Sequence, residues 1–208
     1  MIDNETLDTM LWKKVSRIKQ ELNVTQIKAI ADLFAHIVDY KSPFTSNHSI
    51  GVAEGAEKIS RFMGFDEDIC QKMYLAGALH DIGKVAIGNE ILEKPEKLTD
   101  EEFKTMKHHA VYTYYILSGI DDFEEIRDWA VLHHEKLNGK GYPFGKTADE
   151  LNEQERIMAC IDIYQALTEN RPYKKGLSHE KACDILDDMA QKGFVDSDIS
   201  NKIRECFK

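Results

Sequence analysis

The sequence predicts an all-α helical bundle interrupted by one extended, glycine-rich loop. Three observations carry that expectation. Apolar residues recur at helical spacing along most of the 208 residues, alternating strand patterns are scarce, and the densest glycine cluster, "NGKGYPFGK" at 138–146, separates two helical runs. With 42% hydrophobic residues, the chain can bury a core of ordinary size as one domain with an appendage.

The elements follow in order. Leu7, Leu11, Val15, Ile18 and Leu22 share one face of a first amphipathic helix, and Ile27, Ile30, Phe34 and Ile37 share one face of a second. These form an N-terminal helical extension, residues 1–40, and the turn "KSPFTSN" near Tyr40 to Asn47 is the candidate boundary with the main unit, 41–208. Val52, Ala56, Ile59 and Met63 mark a helix stopped at Gly64, and Ile69, Met73, Ala76 and Leu79 mark the one that delivers His80. Thr99 with Glu102 makes a capping box for a helix whose face is Met106, Ala110, Thr113 and Leu117. Ile126, Trp129, Ala130 and His133 form another stripe. After the glycine-rich loop, Asn152 caps "NEQERIMACIDIYQALT", Ser178 caps a further helix, and a last short one reaches the C-terminus.

Charge and cysteine usage narrow the function. A formal net charge of −10, from 37 acidic residues against 27 Lys and Arg, argues against electrostatic binding of long nucleic acid or an anionic membrane. An anionic substrate would need local positive charge. Cys70, Cys160, Cys183 and Cys206 lie far apart without paired spacing, as buried thiols of a reducing compartment do. No apolar run reaches the roughly 18 residues of a membrane span and no signal peptide opens the chain, so the expected location is cytoplasmic.

The chemistry sits in polar residues that interrupt apolar faces. "LAGALHDIGKVAIG" places His80 and Asp81 side by side, with Lys84 close behind, in a segment that otherwise reads as buried. His48, His109, His133, His134 and Asp162 also lie at or near apolar faces. An ionised carboxylate inside "IMACIDIYQAL" costs several kcal/mol unless paired, and Arg156 stands roughly 120° away around the helix. A divalent cation would offset that cost. Imidazole and carboxylate suit iron, manganese or zinc, and seven candidates exceed one coordination sphere. His36, His108 and His179 sit beside charged neighbours or outside this patterned set and are read as ordinary residues.

His80 and Asp81 followed by "IGK" resemble the signature of the HD phosphohydrolase superfamily. "HHEKLNGKGYP", starting at His133, resembles the defining motif of its HD-GYP branch, the cyclic di-GMP phosphodiesterases. "NHS" ending at Ser49, "KPEKLTDEE", "MKHH" and "ALTENRPYKK" fall in family order, so the resemblance spans about residues 41–196. It implies an HD-domain helical bundle with an extended GYP loop. It further implies that His48, His80, Asp81, His109, His133, His134 and Asp162 hold two divalent ions, iron or manganese, with Asp81 shared between them. Lys84 would act beside the scissile phosphate, and Arg171 and Lys174 would contact substrate phosphates. Tyr142 either stacks on a base or pins the loop, and Arg171, preceding Pro172, has the plainer alternative of closing the helix before it.

Four positions depart from the family pattern. Gln165 stands where an aspartate is common, a change that bears on the support of the metal site rather than on its ligands. Asn138 and Lys140 are minor changes in the loop motif. Phe44 stands where some members carry a glutamate that binds a third metal, so the resemblance implies a binuclear site that mainly yields the singly cut linear dinucleotide. Two other functions fit the same residues: a non-catalytic metal- or nucleotide-binding signalling module, and a hydrolase of another cyclic or linear nucleotide. A signalling module would need another chain, a protein partner or a second copy in a homo-oligomer, to carry sensor or output.

Overall fold

The computed structural model describes residues 21–41, 47–170 and 175–208. Among these the regular structure is helical, with no strand beyond a single bridge between Asn138 and Thr147. The first expected helix, carried by Leu7 to Ile18, lies outside the described residues, as do Phe44, Arg171 and Lys174. The expected boundary near Tyr40 to Asn47 falls largely on such residues as well.

The described helices are α1 (Val24–Lys41), α2 (His48–Phe62), α3 (Glu67–Leu79), the single turn α4 (Asn89–Leu92), α5 (Asp100–Leu117), α6 (Glu124–Val131), α7 (Glu153–Thr168), α8 (His179–Gln191) and α9 (Ser197–Cys206). Their starts follow local chemistry. The expected capping box of Thr99 with Glu102 forms on α5, the expected cap Asn152 forms a box with Glu155 on α7, and Ser178 caps α8 through the Lys181 amide. Helix α2 begins differently. Asn47 makes no capping bond; instead the buried Asp39 of α1 accepts the Ser49 amide at 3.0 Å and the Ser49 hydroxyl at 2.8 Å. A carboxylate borrowed from α1 therefore satisfies an orphan donor at the positive end of α2, next to His48.

One core runs through the bundle. Val52, Ala56 and Ile59 of α2, Met73 and Ala76 of α3, and Ile157, Met158 and Ile161 of α7 are buried together. Each large aliphatic side chain removed from water contributes roughly 1.5–3 kcal/mol. The expected stripes on α2, α3, α5 and α6 face inward; that of α1 does so only at Ile27. Ile30, Phe34 and Ile37 are exposed, while Ala31, Ala35 and Val38 form the buried face. Small side chains let the α1 backbone approach α2 and α3 closely, and close packing outweighs the larger area that the bulky face would bury. Lys41, at the end of α1, donates to the carbonyls of Val85 and Ile87 and so ties this helix to the turn after Lys84.

The four cysteines are free thiols, three of them buried. No described helix is long and apolar enough to cross a membrane.

Candidate metal centre

The seven expected residues arrive from six elements. His48 is the first residue of α2, His80 caps the C-terminus of α3, and Asp81 opens the 3₁₀ turn Ile82–Ala86. His109 projects from the middle of α5, His133 and His134 follow the end of α6, and Asp162 lies inside α7. Their side chains converge on one point. Three sets, His48 with His80 and Asp162, His80 with Asp81 and His133, and His109 with His133 and His134, each bring ligand atoms within 4.8 Å of one another.

Asp81 is the common neighbour. Its Oδ1 lies 3.3 Å from His109 Nε2 and 3.9 Å from His133 Nε2, while its Oδ2 lies 3.1 Å from His80 Nε2 and 2.5 Å from Lys84 Nζ. Asp162 faces the other side, with Oδ1 3.0 Å from His48 Nε2 and Oδ2 3.7 Å from His134 Nδ1.

The backbone presets three of the imidazoles. The Nδ1 atoms of His80, His109 and His133 lie 2.7, 2.8 and 2.6 Å from the carbonyls of Gly77, Met106 and Ala130, each three residues earlier. A carbonyl oxygen only accepts, so each Nδ1 carries the proton and each Nε2 points into the site. Those three Nε2 atoms, with Asp81 Oδ1, are buried and make no hydrogen bond. Orphaned buried polar atoms are costly, and four of them aimed at one point fit a cation with nitrogen and oxygen ligands.

The electrostatics divide the cluster. Burial, reinforced at His133 by His134 and His80, holds His109 and His133 below the ordinary histidine range and lowers His134 to about 4, so these three imidazoles are neutral at pH 7. Burial also lowers His48 and His80, but neighbouring carboxylates outweigh it and leave both raised, His48 to about 10. Burial raises Asp81, yet Lys84 and His80 hold it well below the carboxylate range; His48 does the same for Asp162. Protons on His48 and Lys84 thus supply positive charge that the buried carboxylates require.

Three supporting residues were not read from the sequence. Thr113 Oγ1 accepts the Gly83 amide at 3.0 Å and donates to the His80 carbonyl at 3.1 Å, which fastens the His80–Lys84 turn to α5. Gly83 is needed there, because a Cβ would meet the His109 carbonyl oxygen at 1.9 Å. Asp39 seats His48 through the start of α2, as described above. Glu135, buried, accepts the amides of Phe144, Gly145 and Lys146 and thereby shapes the glycine-rich loop. At Gly141 a Cβ would fall 2.4 Å from the Glu135 Cα, so only glycine permits that approach. In sequence Thr113 reads as one more member of a helical stripe and Glu135 as a surface charge. The pairing of Glu135 with a loop nine to eleven residues on leaves no local pattern.

The glycine-rich loop places Tyr142 over the cluster, its ring 4.6 Å from that of His134 and 6.2 Å from that of His109. The Gln165 amide packs over Gly51 of α2. Above the cluster opens a cleft of about 830 Å³. His48, Asp81, Lys84, His109, His134 and Asp162 form its floor, Tyr142 one side, and Leu92, Lys94, Pro95, Lys97 and Met106 another. Lys94 is engaged by both oxygens of Glu102.

Comparison with known proteins agrees with this geometry. The HD domain family pattern matches residues 32–199. The 3′3′-cGAMP-specific phosphodiesterase 1 of Vibrio cholerae is 36% identical over 185 residues, covering 89% of this chain and 43% of that protein. The cyclic di-GMP phosphodiesterase response regulator RpfG of Xanthomonas campestris is 34% identical over 161 residues, 76% of this chain and 42% of that protein. The chain therefore spans less than half the length of these relatives. Among solved structures, a cyclic GMP-AMP specific phosphodiesterase of V. cholerae superposes with a TM-score of 0.59 at 27% identity, over 99% of this chain and 46% of the other. The HD domain of Listeria monocytogenes PgpH, solved with cyclic-di-AMP, shares the fold at a TM-score of 0.62 and 18% identity, over 84% and 92% of the two chains. With the pattern covering most of its length and both motifs meeting at one cluster, this chain belongs to the HD domain family, as a member of the HD-GYP kind that its sequence resembles.

Proposed function

We propose that this chain is a metal-dependent phosphodiesterase that hydrolyses cyclic di-GMP, mainly to the linear dinucleotide. The observation that carries the reading is the arrangement around Asp81, where three imidazoles with lowered pKa, His109, His133 and His134, stand on one side and two with raised pKa, His48 and His80, on the other. His109, His133 and His134 would hold one divalent ion, His48, His80 and Asp162 the second, with Asp81 shared. Iron and manganese suit this mixed imidazole and carboxylate set. Bound there, such a pair of ions supplies Lewis-acid stabilisation of phosphodiester oxygens and an activated water.

The chain's own residues do the rest. Lys84, kept protonated by Asp81 against the lowering effect of burial, presents a cation at the cleft floor, where it stabilises negative charge growing on the phosphoryl oxygens. Arg171 and Lys174 would neutralise the second phosphate, and Tyr142 offers an aromatic face at the cleft edge for a base. Such local cations allow a dianionic ligand to approach a chain of net charge −10.

A second substrate is favoured by a specific observation: the 36% identical relative is named for 3′3′-cGAMP. Turnover of cyclic di-GMP and 3′3′-cGAMP by the manganese-loaded protein, measured side by side with metal content, tests both. Faster hydrolysis of cyclic di-GMP supports the proposal. A clear preference for 3′3′-cGAMP would reassign the substrate, and metal binding without turnover of either would favour a signalling module.

A further inference from the structure

The four most deeply placed imidazoles are not all oriented alike. His80, His109 and His133 each have Nδ1 tied to a backbone carbonyl three residues back. His48 has no such tie, because it is the first residue of α2 and no turn of that helix lies behind it. Its Nδ1 is buried, makes no hydrogen bond, and lies 3.6 Å from Glu169 Oε2, with the two side chains only 6% and 8% exposed.

We propose that Glu169 is the positioning residue for His48, its carboxylate accepting the Nδ1–H and so directing the Nε2 lone pair into the metal site. The proposal rests on the ligand reading above. Asp162 and Glu169 stand seven residues apart, two helical turns, so the end of α7 brings one carboxylate to each nitrogen of the same ring. Glu169 is itself firmly held. Its amide donates to the Gln165 carbonyl at 2.9 Å, the Leu177 amide closes onto the Leu167 carbonyl at 2.9 Å, and Gly176 packs tightly against Thr168 and Glu169. A closure of about 0.7 Å brings the 3.6 Å approach to ordinary hydrogen-bond length. A carboxylate on the far nitrogen of a ligating histidine fixes its tautomer and raises its basicity, and losing such a partner typically weakens metal binding about 10–100-fold.

The test compares Mn²⁺ affinity, by competition with a chelator, in the parental protein, Glu169→Gln and Glu169→Ala, each checked for folding by circular dichroism. Glu169→Ala should weaken one of two Mn²⁺ equivalents about 10–100-fold, while Glu169→Gln, whose amide oxygen still accepts from Nδ1, should lose far less. The equivalent assigned to His109, His133 and His134 should keep its parental affinity in both. Parental Mn²⁺ affinity in Glu169→Ala, or a loss in Glu169→Gln as large as in Glu169→Ala, would overturn the positioning role alone. Should the parental protein bind no Mn²⁺, the ligand reading falls and this inference falls with it; should Glu169→Ala not fold, the Glu169→Gln result decides.

Discussion

Lys84 Nζ lies 2.5 Å from Asp81 Oδ2, three residues away across a single 3₁₀ turn, while the Oδ1 of the same carboxylate faces His109 and His133. One oxygen thus meets Lys84, which cannot ligate while protonated, beside His80, and the other meets two imidazoles that can ligate. Asp81 joins the part of the site that would hold metal to the part that would meet substrate.

Removing that carboxylate should empty the site. Asp81→Ala is expected to lose both metals and nearly all hydrolysis while keeping its helical circular dichroism, since the core of α2, α3 and α7 does not depend on it. Lys84, partly open to the cleft, can turn to water when its partner is gone. Elemental analysis checks the expectation; two retained metals per chain would refute the shared role.

Lys84→Ala should separate catalysis from metal binding. Its loss removes one charge-stabilising donor, an effect on the order of 10²–10³ in turnover, and leaves metal content near parental. Steady-state rates beside metal analysis check this, and a parental rate would place Lys84 away from the phosphate.

Metal loading should release protons. Despite burial, neighbouring carboxylates raise His48 and His80 in the metal-free protein, His48 to about 10, so His48 carries a proton at pH 7 that a ligating Nε2 must give up. Calorimetric titration with Mn²⁺ in two buffers of different ionisation enthalpy should show at least one proton released per chain. Loading should therefore weaken as pH falls.

Glu135→Ala should loosen the glycine-rich loop. Three amides would lose a buried acceptor, at about 1–3 kcal/mol for each donor left unsatisfied and less for any that water reaches. Denaturant unfolding and proteolysis within residues 138–147 report the change. Because Tyr142 rides on this loop, substrate affinity should fall more than metal content.

The product distribution should turn on Phe44, which offers no lone pair for a third ion. A chromatographic time course should show the linear dinucleotide accumulating and disappearing slowly, and Phe44→Glu should shift the protein toward prompt GMP formation. Early GMP from the parental protein, without a lasting linear intermediate, would contradict the reading.

The sequence alone determined the helical class, most element starts and the identity of the cluster. Helix periodicity and capping act within three or four residues, so the Thr99 box with Glu102 and the Asn152 cap were legible as strings. The seven ligand-type residues were legible because buried imidazoles and carboxylates stand out against apolar stripes and match a known motif order. The supporting contacts were decided only by the tertiary structure. Asp39 capping α2, Thr113 bridging His80 and Gly83, Glu135 shaping the loop and Glu169 facing His48 pair residues across separations that no local period encodes. The inward face of α1 was likewise settled by packing, since Ile30, Phe34 and Ile37 have the stronger apolar pattern but Ala31 and Ala35 permit the closer approach. Local chemistry chooses helices; the depth to which two helices interlock depends on what each meets when the chain closes.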